Sequence, residues 1–215
     1  MPILKDSPDY KNYAFQISVS KCGESESKGS YTFHFGWGDL RFLNNNITYN
    51  KCSKWSSIDS TLNEKSGYCN YSTFRENNQT GGDSLRFWSN DDSLIQTVSY
   101  CNVIGNKCGT NGDQVLFFCN CNTNVDHCVF LNNTAKYMFT IYYSGCTLTI
   151  TDSYVEIKST TSTGPGTVTF TKENSNSDLN QLSHFYPEFC FIEPKQMTFI
   201  LPYISKFAET SSKIL

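Results

Sequence analysis

Long amphipathic runs rich in Leu and Ala are missing from this 215-residue chain, and with them the signature of a helical protein. Charged residues are scarce at 17%, and the net charge of -3 offers no basic surface to attract nucleic acid or an anionic membrane. No segment approaches the ~20 apolar residues needed to cross a bilayer; "MTFILPYISKF" near the end is far too short. The opening "MPILKDSPDYKNYAF" lacks the basic and apolar regions of a secretion signal. On these grounds the chain reads as soluble and unaddressed, or as a portion of something longer. A phosphate loop, a dinucleotide fingerprint and a Ser/His/Asp order are all absent, so no cofactor is implied.

What is present is a succession of short aromatic and β-branched runs, broken by clusters of Asn, Gly and Ser. That pattern belongs to an all-β chain. Ten cysteines would suit an oxidising compartment, although their spacing gives no connectivity. N-x-S/T sequons at Asn46, Asn70, Asn78 and Asn132 are about what chance predicts in a chain so rich in Asn, Ser and Thr.

A repeat organises the middle of the chain. With "LRFLNNN", "STFRENN", "CNVIGNK", "CVFLNNT" and "SYVEIKS" set beneath one another, one column reads Phe42, Phe74, Val103, Phe130, Val155. Three residues later come Asn45, Asn77, Asn106, Asn133 and then Lys158, where an asparagine ladder would end. Two residues before the apolar column lie Leu40, Ser72, Cys101, Cys128 and Ser153; five before it lie Trp37, Cys69, Val98, Val125 and Ile150. A further strand signal falls between, at Leu85/Phe87, Val115/Phe117, Phe139/Ile141 and Val168/Phe170, each pair facing one side. Every period therefore holds about three short strands and no helix. The expectation is a single-domain, right-handed parallel β-helix of about five coils over residues 37–172. Residues 1–36 would supply N-terminal strands or a cap, and residues 173–215 a C-terminal cap or tail.

In such a stack equivalent residues lie ~4.8 Å apart, so an aligned column becomes a ladder. Phe, Val and Ile fill the interior, and Asn at a sharp turn hydrogen-bonds to the Asn above and below. These residues resemble the asparagine turns and inward Cys/Phe stacks of pectin-lyase-like right-handed β-helix proteins. They look most like the Cys/Asn-rich surface proteins of protists, which are similar to bacterial polymorphic outer-membrane proteins. The resemblance implies extracellular display and adhesion or another interaction role.

Among candidate chemistries, "CNCNTNVDHC" offers Cys119, Cys121, His127 and Cys128, all ligand types zinc accepts. The C-x-C spacing is unusual for zinc, and the repeat already accounts for Cys128 as rung-mate of Cys101 and Cys121 as rung-mate of Cys146. Thiols packed in the interior are expected instead, with no metal site. A Cys101–Cys128 bridge would need strain, because the strand spacing of ~4.8 Å exceeds the ~3.8 Å that disulfide Cβ atoms prefer. A pair off the ladder, such as Cys22 with Cys52, faces no such limit. Asp126 and Asp152 read as outward carboxylates at matching positions on consecutive coils, with His127 adjacent and Arg86 or Lys136 to supply a cation. That spacing suits a retaining glycosidase pair. "GGD" (81–83) and "NDD" (90–92) read as surface loop, and His34 and His184 as packed or rim histidines. Tyr100, Tyr142 and Tyr143 are candidate sugar-stacking aromatics.

The expected function is a non-enzymatic surface or interaction module that binds a glycan or a protein. A polysaccharide lyase or glycoside hydrolase using Asp126, Asp152 and His127 is the alternative, and a degenerate fragment without independent function is a third. Neither nucleic acid nor a membrane span enters any of these readings, and the chain could belong to a longer β-helix.

Overall fold

The computed structural model describes residues 11–23, 29–109, 114–161 and 166–181, all within one compact unit. The first turn of chain comprises β1 (Lys11–Phe15), β2 (Ser18–Ser20) and β3 (His34–Gly36). The second comprises β4 (Asp39–Leu43), β5 (Asn46–Thr48), β6 (Lys51–Cys52) and β7 (Ile58–Leu62). The third runs through β8 (Gly67–Asn70), β9 (Thr73–Arg75), β10 (Asn78–Gln79) and β11 (Asp83–Ser89). The fourth has β12 (Ile95–Ser99), β13 (Asn102–Ile104) and β14 (Val115–Cys119), and the fifth β15 (Asn122–Asp126), β16 (Val129–Leu131) and β17 (Tyr137–Ile141). Then β18 (Thr147–Thr151) and β19 (Tyr154–Val155) begin a sixth turn, and β20 (Thr167–Thr171) follows on the first face.

Every pairing is parallel and joins one turn to the next. Three faces result: β1-β4-β8-β12-β15-β18-β20, β2-β5-β9-β13-β16-β19 and β3-β7-β11-β14-β17, with β6-β10 a short extra pair. No helix occurs among the described residues, so none is long and apolar enough to cross a membrane. The molecule is an all-β parallel β-helix of about five turns.

Alternation along each strand sends every second side chain inward. On the first face Ala14, Phe42, Cys69, Val98, Val125, Ile150 and Phe170 form one interior column. On the second face the column is Val19, Ile47, Phe74, Val103, Phe130 and Val155. Ile58, Leu85, Phe117 and Phe139 line the third. These columns meet as one core in which Phe74, Phe87 and Phe117 are fully buried.

The first copy of the repeat sits five residues from its expected register. Ile47, not Phe42, is the rung-mate of Phe74, and Phe42 stacks on Cys69 in the place given to Trp37. Asn45 correspondingly belongs with Ser72 and Cys101, and Asn50 with Asn77. Val168 and Phe170, grouped with the third face by pattern, pair with β18 on the first. Residues 11–23 and 29–36 pair in parallel as the first turn. The expected terminal cap beyond residue 181, with His184, lies outside the described residues.

Between the first two faces the chain turns through a left-handed residue: Gln16, Asn44, Tyr71, Tyr100, His127, Asp152 and Lys172 all have positive φ. That conformation costs roughly 1–2 kcal/mol per non-glycine residue. It is offset by a backbone bond to the next turn, as from the Tyr71 N–H to Ser99 O at 3.0 Å and from Tyr100 N–H to Asp126 O at 3.0 Å. The following residue turns inward and caps the turn before it. Asn45 Oδ1 accepts from the Ile17 N–H (2.8 Å), Ser72 Oγ from Asn45 (3.1 Å), Cys128 Sγ from Cys101 (3.4 Å) and Ser153 Oγ from Cys128 (3.0 Å). Asn, Ser and Cys interchange here because each offers one acceptor at the same height.

After the second face, Asn50, Asn77, Asn106 and Asn133 form a buried ladder. The Oδ1 of Asn77, Asn106 and Asn133 each accepts from the backbone and side-chain amides of the asparagine before it, at 3.0–3.1 Å, and Asn50 Oδ1 accepts from the Cys22 N–H at 2.9 Å. Each Nδ2 donates back to a carbonyl of the preceding turn, from Asn77 to Ile47 O and from Asn106 to Phe74 O. Lys158 instead pairs with Glu173 at 2.6 Å.

Candidate functional sites on the outer faces

Outward side chains also stack by rung, and two clusters stand out. On the third face His34, Asp59 and Arg86 are rung-mates on β3, β7 and β11. Asp59 is 2% exposed and is held between the two bases: His34 Nδ1 lies 2.8 Å from one carboxylate oxygen and Arg86 donates to the other at 2.8 Å. A buried carboxylate requires such pairing, because an unpaired one would cost several kcal/mol. Around this triad runs an aromatic strip along the stack. Tyr31 lies on Trp55 (4.5 Å), and the Arg86 guanidinium covers both Trp55 (4.9 Å) and Trp88 (4.5 Å). Trp88 lies parallel to Phe118 at 6.2 Å, and the strip continues to Tyr142 and Tyr143. Tyr142 is 52% exposed. The strip therefore extends over all five turns of the third face.

Asp83, at the start of β11, adjoins this strip. Desolvation, only partly offset by Arg86, pushes its carboxyl up to about 7. "GGD" is thus not simply surface loop: its aspartate is packed beside Trp55 and opens a strand.

The second cluster lies at the corner of the first two faces. Asp126, His127 and Asp152 each bring one ligand-type atom within 4.8 Å of the others, and His127 Nδ1 sits 2.8 Å from Asp126 Oδ2. The two carboxylates do not occupy matching rungs. Asp126 pairs with Thr151, while Asp152 is the left-handed turn residue in the column of His127, Tyr100 and Tyr71. The apolar partners Val125 and Ile150 fix that register, and Asp152 lies two residues beyond Ile150. The residues proposed to supply a cation are engaged elsewhere: Arg86 with Asp59 on the third face, and Lys136 over Tyr137.

Tyr100 is stacked between Tyr71 (5.2 Å, 11°) and His127 (4.8 Å, 21°). Both ring faces are covered, which leaves only its edge and hydroxyl to a ligand. Tyr142 and Tyr143 belong instead to the third-face strip. On the first face, β18 and β20 set Thr147, Thr149 and Thr151 beside Thr167, Thr169 and Thr171, a flat hydroxyl-lined surface.

The nine described cysteines are free thiols, Cys101 and Cys128 included. All but Cys22 are buried. Desolvation pushes Cys108 up to about 12 and Cys121 up to about 11, and moves Cys101 and Cys128 well above the ordinary thiol value. These thiols pack and hydrogen-bond in place of reacting.

No protein-family model, curated protein or solved structure matches this chain.

The sequence pattern does not single out Asp59, Trp55 or Trp88, and it places Asp83 in a surface loop. The signal for His34, Asp59 and Arg86 was present as spacings of 25 and 27 residues, the repeat's own period. It becomes visible once the third-face column is aligned.

Proposed function

We propose that this protein is a non-catalytic binding module that lays an extended glycan along its third face. The aromatic strip from Tyr31 through Trp55, Trp88 and Phe118 to Tyr142 and Tyr143 carries this reading. Its length suits a chain-like ligand, because each of the five turns contributes at least one ring and neighbouring turns are ~4.8 Å apart. Half-exposed Tyr and Trp rings supply apolar contact, while Arg86, His34 and the Tyr hydroxyls supply hydrogen bonds. A display and adhesion role, as in the Cys/Asn-rich surface β-helix proteins this chain resembles, agrees with a broad ridged face.

One observation favours a second reading, hydrolysis or lysis of a polysaccharide: the convergence of Asp126, His127 and Asp152. Their offset register and half-exposed setting make this the weaker choice.

A glycan-array assay run beside a reducing-end release assay separates the two. Binding that falls at least tenfold in Trp88→Ala, with no release, is the expected result. Release that disappears in Asp126→Asn would replace this proposal with the enzyme.

A further inference from the structure

After β20 the chain leaves the stack and turns back along it. Glu173 pairs with Lys158 at 2.6 Å, and the Asn174 N–H donates to Ser153 O at 3.2 Å. Asn174, Asn176 and Asp178 then form successive side-chain-to-backbone turns among themselves, all exposed. Asn180 does something different: it docks on the fourth and fifth turns, where its partner Asn102 lies 78 residues earlier in the sequence.

Four hydrogen bonds hold that one residue. The Asn102 side chain donates Nδ2 to Asn180 O at 3.0 Å and accepts from the Asn180 N–H through Oδ1 at 3.0 Å. A side-chain amide here pairs with a peptide group much as a neighbouring strand would. The Asn180 Nδ2 donates to His127 O at 2.8 Å and to Cys101 O at 3.4 Å. His127 has a φ of 50°, in the left-handed region. Asn102 and its rung-mate Val129 point outward on the second face, since the next residues along their strands, Val103 and Phe130, point in, yet both are only 4% exposed. An outward residue so buried is covered from outside the coil, and the segment bearing Asn180 lies over Asn102.

We infer that this corner is a peptide-binding site that reads an asparagine carboxamide in a peptide segment, filled here in cis by Asn180. The selectivity follows from the partners. Two carbonyl oxygens face the side-chain nitrogen, so an aspartate there would set an anionic oxygen against two acceptors with no proton to share. The Asn102 amide reads only backbone and tolerates any neighbouring sequence. The ligand class is an Asn-bearing peptide, and a second chain offering the sequence of residues 174–181 presents that chemistry in trans. The site is separate from the third-face strip and does not depend on the function proposed for it.

The test uses the full chain and the synthetic peptide NSNSDLNQ, with hydrogen exchange and resonance shifts read by NMR. In wild type the Asn180 amide is protected. In Asn180→Asp it exchanges at least tenfold faster while the amides of β13 and β16 keep their protection. The released site then takes up NSNSDLNQ at millimolar concentration, shifting Asn102, and does not take up NSNSDLDQ. Asn102→Ala in the Asn180→Asp background abolishes uptake, and retained protection across β13 shows that the fold persists. An unprotected Asn180 amide in wild type overturns the inference. So does a folded Asn180→Asp chain that ignores NSNSDLNQ or binds both peptides alike.

Discussion

At the scale of single residues, polar groups inside the stack contribute to stability through defined hydrogen bonds. Cys128 illustrates this. Its Sγ accepts the Cys101 N–H and donates to Asp126 O, the part Ser72 and Ser153 play on other turns. Cys128→Ser should therefore cost under about 1 kcal/mol. Cys128→Val, closer in apolar volume, should cost about 1–3 kcal/mol by leaving a buried N–H without an acceptor. Urea unfolding of both variants checks this; equal losses would contradict the capping role. Asp83 gives a pH dependence. Its folded pKa of about 7 lies above the ~3.9 of an unfolded aspartate. Its contribution is thus complete below about pH 4 and is lost as pH rises through 7. The difference is on the order of 2–4 kcal/mol. Stability should fall between about pH 4 and about pH 7, and Asp83→Asn should flatten that fall. Among the described cysteines, only Cys22 should react with iodoacetamide in the native protein. The other eight should become reactive on denaturation.

At the scale of strands and corners, the ladders set the register. Asn106 accepts from both amides of Asn77, and its own Nδ2 donates to Phe74 O and to Asn133 Oδ1. Asn106→Ala should cost about 2–4 kcal/mol, more than a surface asparagine, with the loss read by urea unfolding. This ladder is also where sequence reading did best and where it slipped. Asn77, Asn106 and Asn133 were legible because each follows its apolar column by the same three residues. The first turn was misread because "NNN" at 44–46 offers asparagines in three adjacent positions. By pattern Asn45 aligns as a ladder member, whereas that place belongs to Asn50. The corrected spacing from Ile47 to Phe74 is 27 residues, within the range of later turns. The docking of Asn180 left no trace in the pattern, since it occurs once and no repeat marks it. The raised Asp83 is equally hidden, because its desolvation comes from burial in the folded stack, which no sequence spacing marks.

At the scale of the whole molecule, a parallel β-helix gives each outer face its own chemistry while the interior stays uniform. The first face ends in threonines, and the corner between the first and second carries stacked rings and the Asp126–His127–Asp152 group. The third face carries aromatics about the buried Asp59 carboxylate and its partners His34 and Arg86. Stability is shared between neighbouring turns, so surface substitutions on one face should leave the others intact. The central claim is that the third face binds an extended glycan. Intrinsic tryptophan fluorescence tests it most directly, because two of the three tryptophans, Trp55 and Trp88, lie in the strip and Trp37 does not. Titration with an oligosaccharide recovered from the glycan array should change the emission of wild type and of Trp37→Phe. In the folded Trp55→Phe/Trp88→Ala variant the response and the affinity should both be lost. An unchanged affinity in that double variant would contradict the account.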